Sequence, residues 1–191
     1  MNTNYTKSYL SIATKIIGQI NEAEIEDTIE LLLTLKQKKG RLFLLGVGGS
    51  AANCSHAVND FRKISHIEAY APTDNVAELT ARTNDDGWDT TFVKWLEGSH
   101  LTSNDAVMVL SVGGGNPEKN VSMNIVFALD YAKKVGSTIL GIVSRNGGYT
   151  KKIASTCILI PIEETEYITP ISESYQALIW HLIATHPKLQ D

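Results

Sequence analysis

The chain has 191 residues, with an apolar fraction of 43% and a charged fraction of 20%, which is typical of one folded domain with a sizeable core. Its formal net charge is −4 and no run of Lys or Arg exceeds two, which argues against a broad electrostatic surface for nucleic acid. No apolar stretch approaches the roughly 20 residues of a membrane helix, and the N-terminus lacks the apolar centre of a signal peptide, so we expect a cytoplasmic protein without membrane contact.

Two helices are predicted before the first strand. Apolar residues recur with helical spacing from Tyr5 to Ile20, and Asn21 is then a candidate cap for a second helix. Lys36, Lys38 and Lys39, followed by Gly40, are typical of its end. A helical pair that precedes a small domain often packs against another subunit, so residues 1–39 predict an oligomer interface.

From residue 41 onward, short apolar runs alternate with helical stretches. The predicted strands are 41–45, 106–110, 137–143 and 157–161, and the predicted helices are 50–64, 75–83, 89–97, about 120–135, 149–155 and 172–185. Continuous apolar strands separated by helices predict a parallel sheet covered on both faces. The two cysteines, Cys54 and Cys157, have no metal-site spacing and are predicted to be buried thiols.

Two predicted strands run directly into turns rich in Gly and Ser. The first is Gly46-Val47-Gly48-Gly49-Ser50 and the second is Ser111-Val112-Gly113-Gly114-Gly115-Asn116. Glycine lets backbone N–H groups approach an anion, and the helix that follows adds a positive dipole end. The first turn lacks the third glycine of a dinucleotide motif and the lysine of a P-loop. The pattern therefore favours a compact phosphomonoester, with ligand-free tight turns as the alternative.

Four further side chains suit acid–base or metal chemistry. His56 and Asp60 are four residues apart in a predicted helix and so share one face, and Glu173 and His181 flank the last predicted helix. Imidazoles with carboxylates suit a divalent ion such as Zn²⁺, and also proton transfer between adjacent carbons. A histidine without a function is the alternative for His56. Eight residues of helix span about 12 Å, so Glu173 either lies at an irregular helix start or serves another subunit's site.

A family resemblance follows from these motifs. The run Gly48-Gly49-Ser50-Ala51-Ala52, Asn84-Asp85, the Ser-rich second turn and the late helix with His181 resemble the sugar isomerase (SIS) domain, and within it the phosphoheptose isomerases. The resemblance covers nearly the whole chain as one domain, residues 1–191. It implies a doubly wound, five-stranded parallel α/β sheet of flavodoxin-like order, and a homotetramer whose active sites lie between subunits.

The resemblance also implies an activity and a set of site residues. Phosphoheptose isomerases convert sedoheptulose 7-phosphate to D-glycero-D-manno-heptose 7-phosphate through an ene-diol, with Zn²⁺ or another divalent metal. His56, Asp60, Glu173 and His181 stand at the family's metal-binding positions, and Asp60, Glu173 and His181 at its catalytic ones. The implied substrate-binding positions are Val47, Gly48, Gly49, Ser50, Asn84, Asp85, Ser111, Val112, Gly113 and Ser122.

The chain departs from the family pattern near the implied substrate. Asp60 replaces a Glu, Glu173 a Gln and Val47 an Asn, and Thr169-Pro170-Ile171 stands where the family has Thr-Ala-Arg. Whether Asp60 or Glu173 acts as the base stays open. These departures motivate a second hypothesis, a non-catalytic SIS module that binds a sugar phosphate or a protein partner. The retained histidines weigh against it, because a binding module has no need of both.

Overall fold

Five parallel strands form one sheet in the order β2-β1-β3-β4-β5, in a computed structural model that describes residues 4–190. The strands are β1 (Leu42–Leu45), β2 (Ala69–Tyr70), β3 (Ala106–Ser111), β4 (Thr138–Val143) and β5 (Thr156–Leu159). This order is flavodoxin-like, and its direction reverses between β1 and β3. The predicted α/β class, strand number and strand order are confirmed. The sequence pattern by itself missed β2, which has only two residues.

The helices cover both faces of the sheet. Their bounds are α1 (Tyr5–Ile17), α2 (Glu22–Gln37), α3 (Gly49–Lys63), α4 (Val76–Asp86), α5 (Thr91–Gly98), α6 (Met123–Val135), α7 (Gly148–Ile153), α8 (Ile168–Ala184) and α9 (Pro187–Gln190). The last long helix begins at Ile168 and not at residue 172, so Glu173 lies inside it. No helix within residues 4–190 has the length and apolarity to cross a membrane.

Alternate strand residues enter two separate cores. Leu42 and Leu44 of β1 pack with residues of α1, α2, α3 and α8, whereas Phe43 and Leu45 pack with α5 and α6. All four side chains are at most 1% exposed. A parallel strand buried on both sides must be continuously apolar, which is why the sequence shows unbroken apolar runs here.

The helix α2 also covers an edge of the sheet. The Asn21 side chain accepts a hydrogen bond from the backbone N–H of Ala23 at 3.0 Å, which confirms the predicted cap. One turn later, Glu24 Oε2 accepts the backbone N–H of Leu159 in the edge strand β5 at 3.2 Å. The second N-terminal helix is therefore part of this chain's own fold, because it blocks an edge that would otherwise pair with another strand.

Candidate active site

A cavity of about 790 Å³ opens at the carboxyl ends of β1, β3 and β4. Of the predicted substrate-binding residues, six line it: Val47, Ser50, Ser111, Val112, Gly113 and Ser122. Its position is the one expected for a ligand site in an open parallel sheet, beside the point where strand order reverses. Its size suits a ligand of a few tens of atoms at most.

The glycines of the second turn serve close packing between two strand exits. A Cβ at Gly114, whose φ is +69°, would collide with the backbone carbonyl of Gly147 in the turn after β4. The backbone N–H of Thr150 donates to the Gly114 carbonyl at 2.9 Å. Ser111 Oγ accepts the Gly114 N–H at 3.0 Å, so its own hydroxyl proton is available to a ligand oxygen. The turn is thus both a tight structural element and a source of donors.

Two cations in the cavity were not predicted from the sequence. Arg145 and Lys119 both line it. Arg145 has a φ of +56°, a left-handed conformation that costs free energy for a residue with a Cβ. Within residues 4–190 the Arg145 side chain takes part in no ion pair of 4.0 Å or less. The signal that could have found it is the run Arg145-Asn146-Gly147-Gly148, a third glycine-containing turn directly after a strand.

The remaining predicted substrate residues lie outside the cavity lining. Gly48, with a φ of +64°, precedes the first turn of α3, and Gly49 begins that helix. Asn84 and Asp85 lie near the end of α4, where Asn84 Nδ2 donates to Asp85 Oδ1 at 2.8 Å. One chain therefore does not bring Asn84 and Asp85 to the cavity.

His56, Asp60 and His181 form a cluster on the contact between α3 and α8. Their ligand atoms all lie within 4.8 Å of one another. Asp60 Oδ2 is 3.9 Å from His56 Nε2 and 3.6 Å from His181 Nε2. The side chain of Asp60 is 12% exposed, whereas those of His56 and His181 are 59% and 44% exposed. The cluster is thus a carboxylate at the base of a shallow site with two imidazoles at its rim.

Hydrogen bonds fix which atoms of the cluster are free. His181 Nδ1 is 2.7 Å from the carbonyl oxygen of Ala177, so Nδ1 carries the proton in the neutral ring and Nε2 has a free lone pair. Asp60 Oδ1 accepts from Asn59 Nδ2 at 2.8 Å, which leaves Oδ2 for the imidazoles. Two imidazole nitrogens and a carboxylate oxygen are ligands that Zn²⁺ prefers, and three protein ligands leave an open position, as in catalytic zinc sites. The residues present fit a divalent ion.

Glu173 is the fourth candidate ligand and lies apart from this cluster. It shares the regular helix α8 with His181, so the two Cα atoms are separated by about 12 Å along the axis. A Cβ at Gly49 would collide with the Glu173 carboxylate, so this carboxylate lies over the first turn of α3. Glu173 lies inside a regular helix, so the predicted irregular helix start is wrong. Its service to another subunit's site stays a prediction.

Comparisons with known proteins identify the family and agree with the fold. The family model of the SIS domain matches residues 4–144. A phosphoheptose isomerase of Sulfurimonas denitrificans is 31% identical over 94% of this chain and 91% of its own. One of Citrifermentans bemidjiense is 28% identical over 85% of this chain and 83% of its own. The solved structure of a phosphoheptose isomerase from Neisseria gonorrhoeae has the same fold, with a TM-score of 0.83 at 19% identity over 96% of this chain and 98% of that one.

Proposed function

The chain belongs to the SIS domain family, and we propose that it is an aldose–ketose isomerase that converts sedoheptulose 7-phosphate to D-glycero-D-manno-heptose 7-phosphate. The observation that carries the proposal is the cluster of His56, Asp60 and His181 on α3 and α8, two helices whose first turns line the Gly- and Ser-lined cavity. Relatives that align over most of the chain under the name phosphoheptose isomerase support the substrate. A non-catalytic module would not need a cluster with two free imidazole nitrogens.

The cavity is the proposed site of the substrate phosphate. Ser50, Ser111 and Ser122 offer hydroxyl donors, and the start of α3 offers backbone N–H groups with a positive dipole end. Arg145 and Lys119 add the positive charge that neutral donors lack. A phosphate held here would lie at the start of α3, the helix that also carries His56 and Asp60.

The cluster is the proposed site of one divalent metal, with Zn²⁺ as the candidate. His56, Asp60 and His181 would hold it through Nε2, Oδ2 and Nε2. When bound, the ion supplies Lewis-acid polarisation of the oxygens at C1 and C2 of the sugar. With Nε2 on the ion and the Nδ1 proton donated to the Ala177 carbonyl, the neutral His181 ring would have no lone pair left to accept a substrate proton.

The proton transfer is proposed for Glu173. The reaction removes a proton from C1 of the ketose while the carbonyl oxygen on C2 gains one, which forms the ene-diol. A proton then returns to C2 while the hydroxyl on C1 loses its proton and becomes the aldehyde oxygen. Asp60 has one oxygen held by Asn59 and the other facing two imidazoles, which leaves it poorly placed to carry a proton between carbons. The Glu173 carboxylate has no such engagement with the cluster and adjoins the start of α3, next to the cavity.

A complete site then requires two subunits. A two-fold axis near Ala177, midway between Glu173 and His181, would bring the Glu173 of one α8 beside the His181 of its partner. The open side of α8 suits such a contact, because Leu178 and Leu182 are 41% and 42% exposed. Leu10 and Ile17 of α1 are 60% and 50% exposed and supply a second apolar surface. We therefore propose a homotetramer with active sites shared between subunits.

Two experiments test this function. Purified protein is screened by NMR for turnover of C5–C7 ketose phosphates, with sedoheptulose 7-phosphate as the expected substrate. Glu173→Gln and His181→Ala are each expected to be inactive while folded. After the two inactive proteins are unfolded and refolded together, about a quarter of the sites should combine a native Glu173 with a native cluster and regain activity. Mixed oligomers seen by mass spectrometry but without activity would overturn the shared site.

A further inference from the structure

The indole of Trp180 lies against both imidazoles of the cluster. Its ring centroid is 3.6 Å from that of His181 with an interplanar angle of 25°, and 4.7 Å from that of His56 at 68°. The two imidazoles are themselves 5.1 Å apart and nearly perpendicular, at 87°. One aromatic surface thus contacts both rings, and each ring is also in contact with the other.

Neither imidazole has enough other contacts to fix its orientation. The side chains of His56 and His181 are 59% and 44% exposed, and exposed side chains change rotamer freely. His181 has one hydrogen bond, from Nδ1 to the carbonyl of Ala177. Among the described residues His56 makes no hydrogen bond through its ring nitrogens, and its approach to Asp60 is 3.9 Å. Two ring contacts therefore constrain His56, and the closer one is with Trp180.

Trp180 also lowers the stability of the fold relative to an apolar side chain at the same core position. Its side chain is fully buried, and within residues 4–190 its Nε1–H has no hydrogen-bond partner. A buried donor without a partner is destabilising, and Leu or Phe would fill an apolar position without one. What those residues lack is a two-ring aromatic side chain, which in Trp180 stacks on one imidazole and makes a T-shaped contact with the other.

We propose that Trp180 is a positioning residue for the metal site, which holds the imidazoles of His56 and His181 so that both Nε2 atoms face Asp60 Oδ2. This inference rests on the metal site of the proposed function. Rings already oriented lose less conformational entropy when they bind an ion, so the indole raises metal affinity without touching the ion. The same contact makes the fluorescence of Trp180 a direct reporter of an ion that quenches indole emission.

The test compares Trp180→Leu and Trp180→Phe with the control Trp88→Phe. Trp88 is 41% exposed and packs against Phe92, in a different core from α8. Each metal-free protein is titrated with Co²⁺ by isothermal calorimetry, and circular dichroism confirms the fold. Affinity is expected to fall about 10-fold or more in Trp180→Leu, by less in Trp180→Phe, and to stay unchanged in Trp88→Phe. Co²⁺ is also expected to quench the tryptophan fluorescence of the wild type, and the midpoint of that quenching should match the midpoint measured by calorimetry.

A second measurement keeps the proposal testable if Trp180→Leu does not fold. A protein with Trp88→Phe and Trp95→Phe retains Trp180 alone, and Co²⁺ should quench most of its emission. In Trp180→Phe, the addition of Co²⁺ should hardly change the emission of the two tryptophans that remain, Trp88 and Trp95. Equal affinity in the wild type and in folded Trp180 variants would overturn the positioning role alone. A wild type that binds no Co²⁺ or Zn²⁺ would overturn the metal site of the proposed function as well.

Discussion

The carboxylate of Glu173 lies directly over Gly49, the first residue of α3, where any β-carbon would collide with it. A second contact ties the same segments, since Asn53 Nδ2 donates to the Glu173 carbonyl at 2.9 Å and to Gln176 Oε1 at 3.1 Å. A negative charge at a helix N-terminus is favourable. Ser50, the next residue of this turn, lines the cavity. The turn therefore adjoins the proposed phosphate site and also contacts the carboxylate of the proposed base, which belongs to α8.

Gly49→Ala tests whether the position of this carboxylate matters. The added methyl group would displace the flexible end of Glu173 and not the backbone, so the fold should be retained. We expect kcat to fall by at least about 10-fold, because small displacements of a reacting group are costly, while the melting temperature changes little. Gly18→Ala is the matched control, since a Cβ there meets only the Lys15 carbonyl oxygen, at 3.8 Å. Equal kcat in both variants would exclude a role for the placement of Glu173.

Arg145→Met tests the proposed phosphate cation. Removing the guanidinium should raise KM for a sugar phosphate about 10-fold and leave kcat nearly unchanged, because the proposed substrate carries its phosphate on C7 and reacts at C1 and C2. Arg145→Lys should recover part of the loss. Lys133→Met, on the exposed end of α6, is the control for a general change of charge.

Arg145→Gly separates binding from folding at the same position. Glycine adopts a φ of +56° without strain, so the free energy of unfolding should match that of the wild type within about 1 kcal/mol. Its KM should nevertheless rise as in Arg145→Met. A KM that stays at the wild-type value in both variants would show that Arg145 does not contact substrate.

Local sequence patterns predicted most of the fold. The features that they did not predict depend on contacts between segments that are distant in the sequence. The Asn21 cap and the continuous apolar strands depend on neighbouring residues, so the sequence displays them. β2 has one buried and one exposed residue, Ala69 and Tyr70, which is too short for any periodicity. The pairing of His56 with Asp60 follows from helical spacing. The approach of His181 to that pair depends on how α8 packs on α3, and only the family resemblance anticipated it.

The two cysteines give a prediction about reactivity. Burial raises the pKa of Cys54 well above its ordinary value and that of Cys157 to about 12. Thiols react as thiolates, so neither should react readily with a disulfide reagent at pH 8 in the native protein. Both should react at once in denaturant. Cys157, which is 7% exposed, should be modified before Cys54, which is fully buried. Fast modification of Cys54 in the native state would contradict its position in the core.

The ion pair between Arg41 and Asp105 predicts how stability depends on pH. Burial by itself would raise the pKa of Asp105, but hydrogen bonds from Arg41 and Thr102 outweigh it and hold that pKa below its ordinary value. Arg41 Nη2 lies 2.8 Å from Oδ2, and the Thr102 N–H donates to Oδ2 at 2.8 Å. The unfolded chain therefore binds the proton more readily than the folded one. The stabilisation is complete above the unfolded pKa of about 3.9 and is lost as pH falls through the lower native value.

Asp105→Asn removes this contribution. We expect a loss of about 2 kcal/mol in the free energy of unfolding at pH 7, because the variant leaves the partly buried guanidinium of Arg41 without its carboxylate. The difference from the wild type should stay constant from pH 7 to about 5 and shrink as pH falls below about 4, where the unfolded chain takes up the proton before the folded one does. Urea unfolding at several pH values measures both. Glu78→Gln, which breaks the more exposed pair with Arg82, should cost no more than about 1 kcal/mol. A difference for Asp105→Asn that stays constant from pH 7 to below about pH 4 would mean that the charge of Asp105 contributes nothing and that only its shape matters.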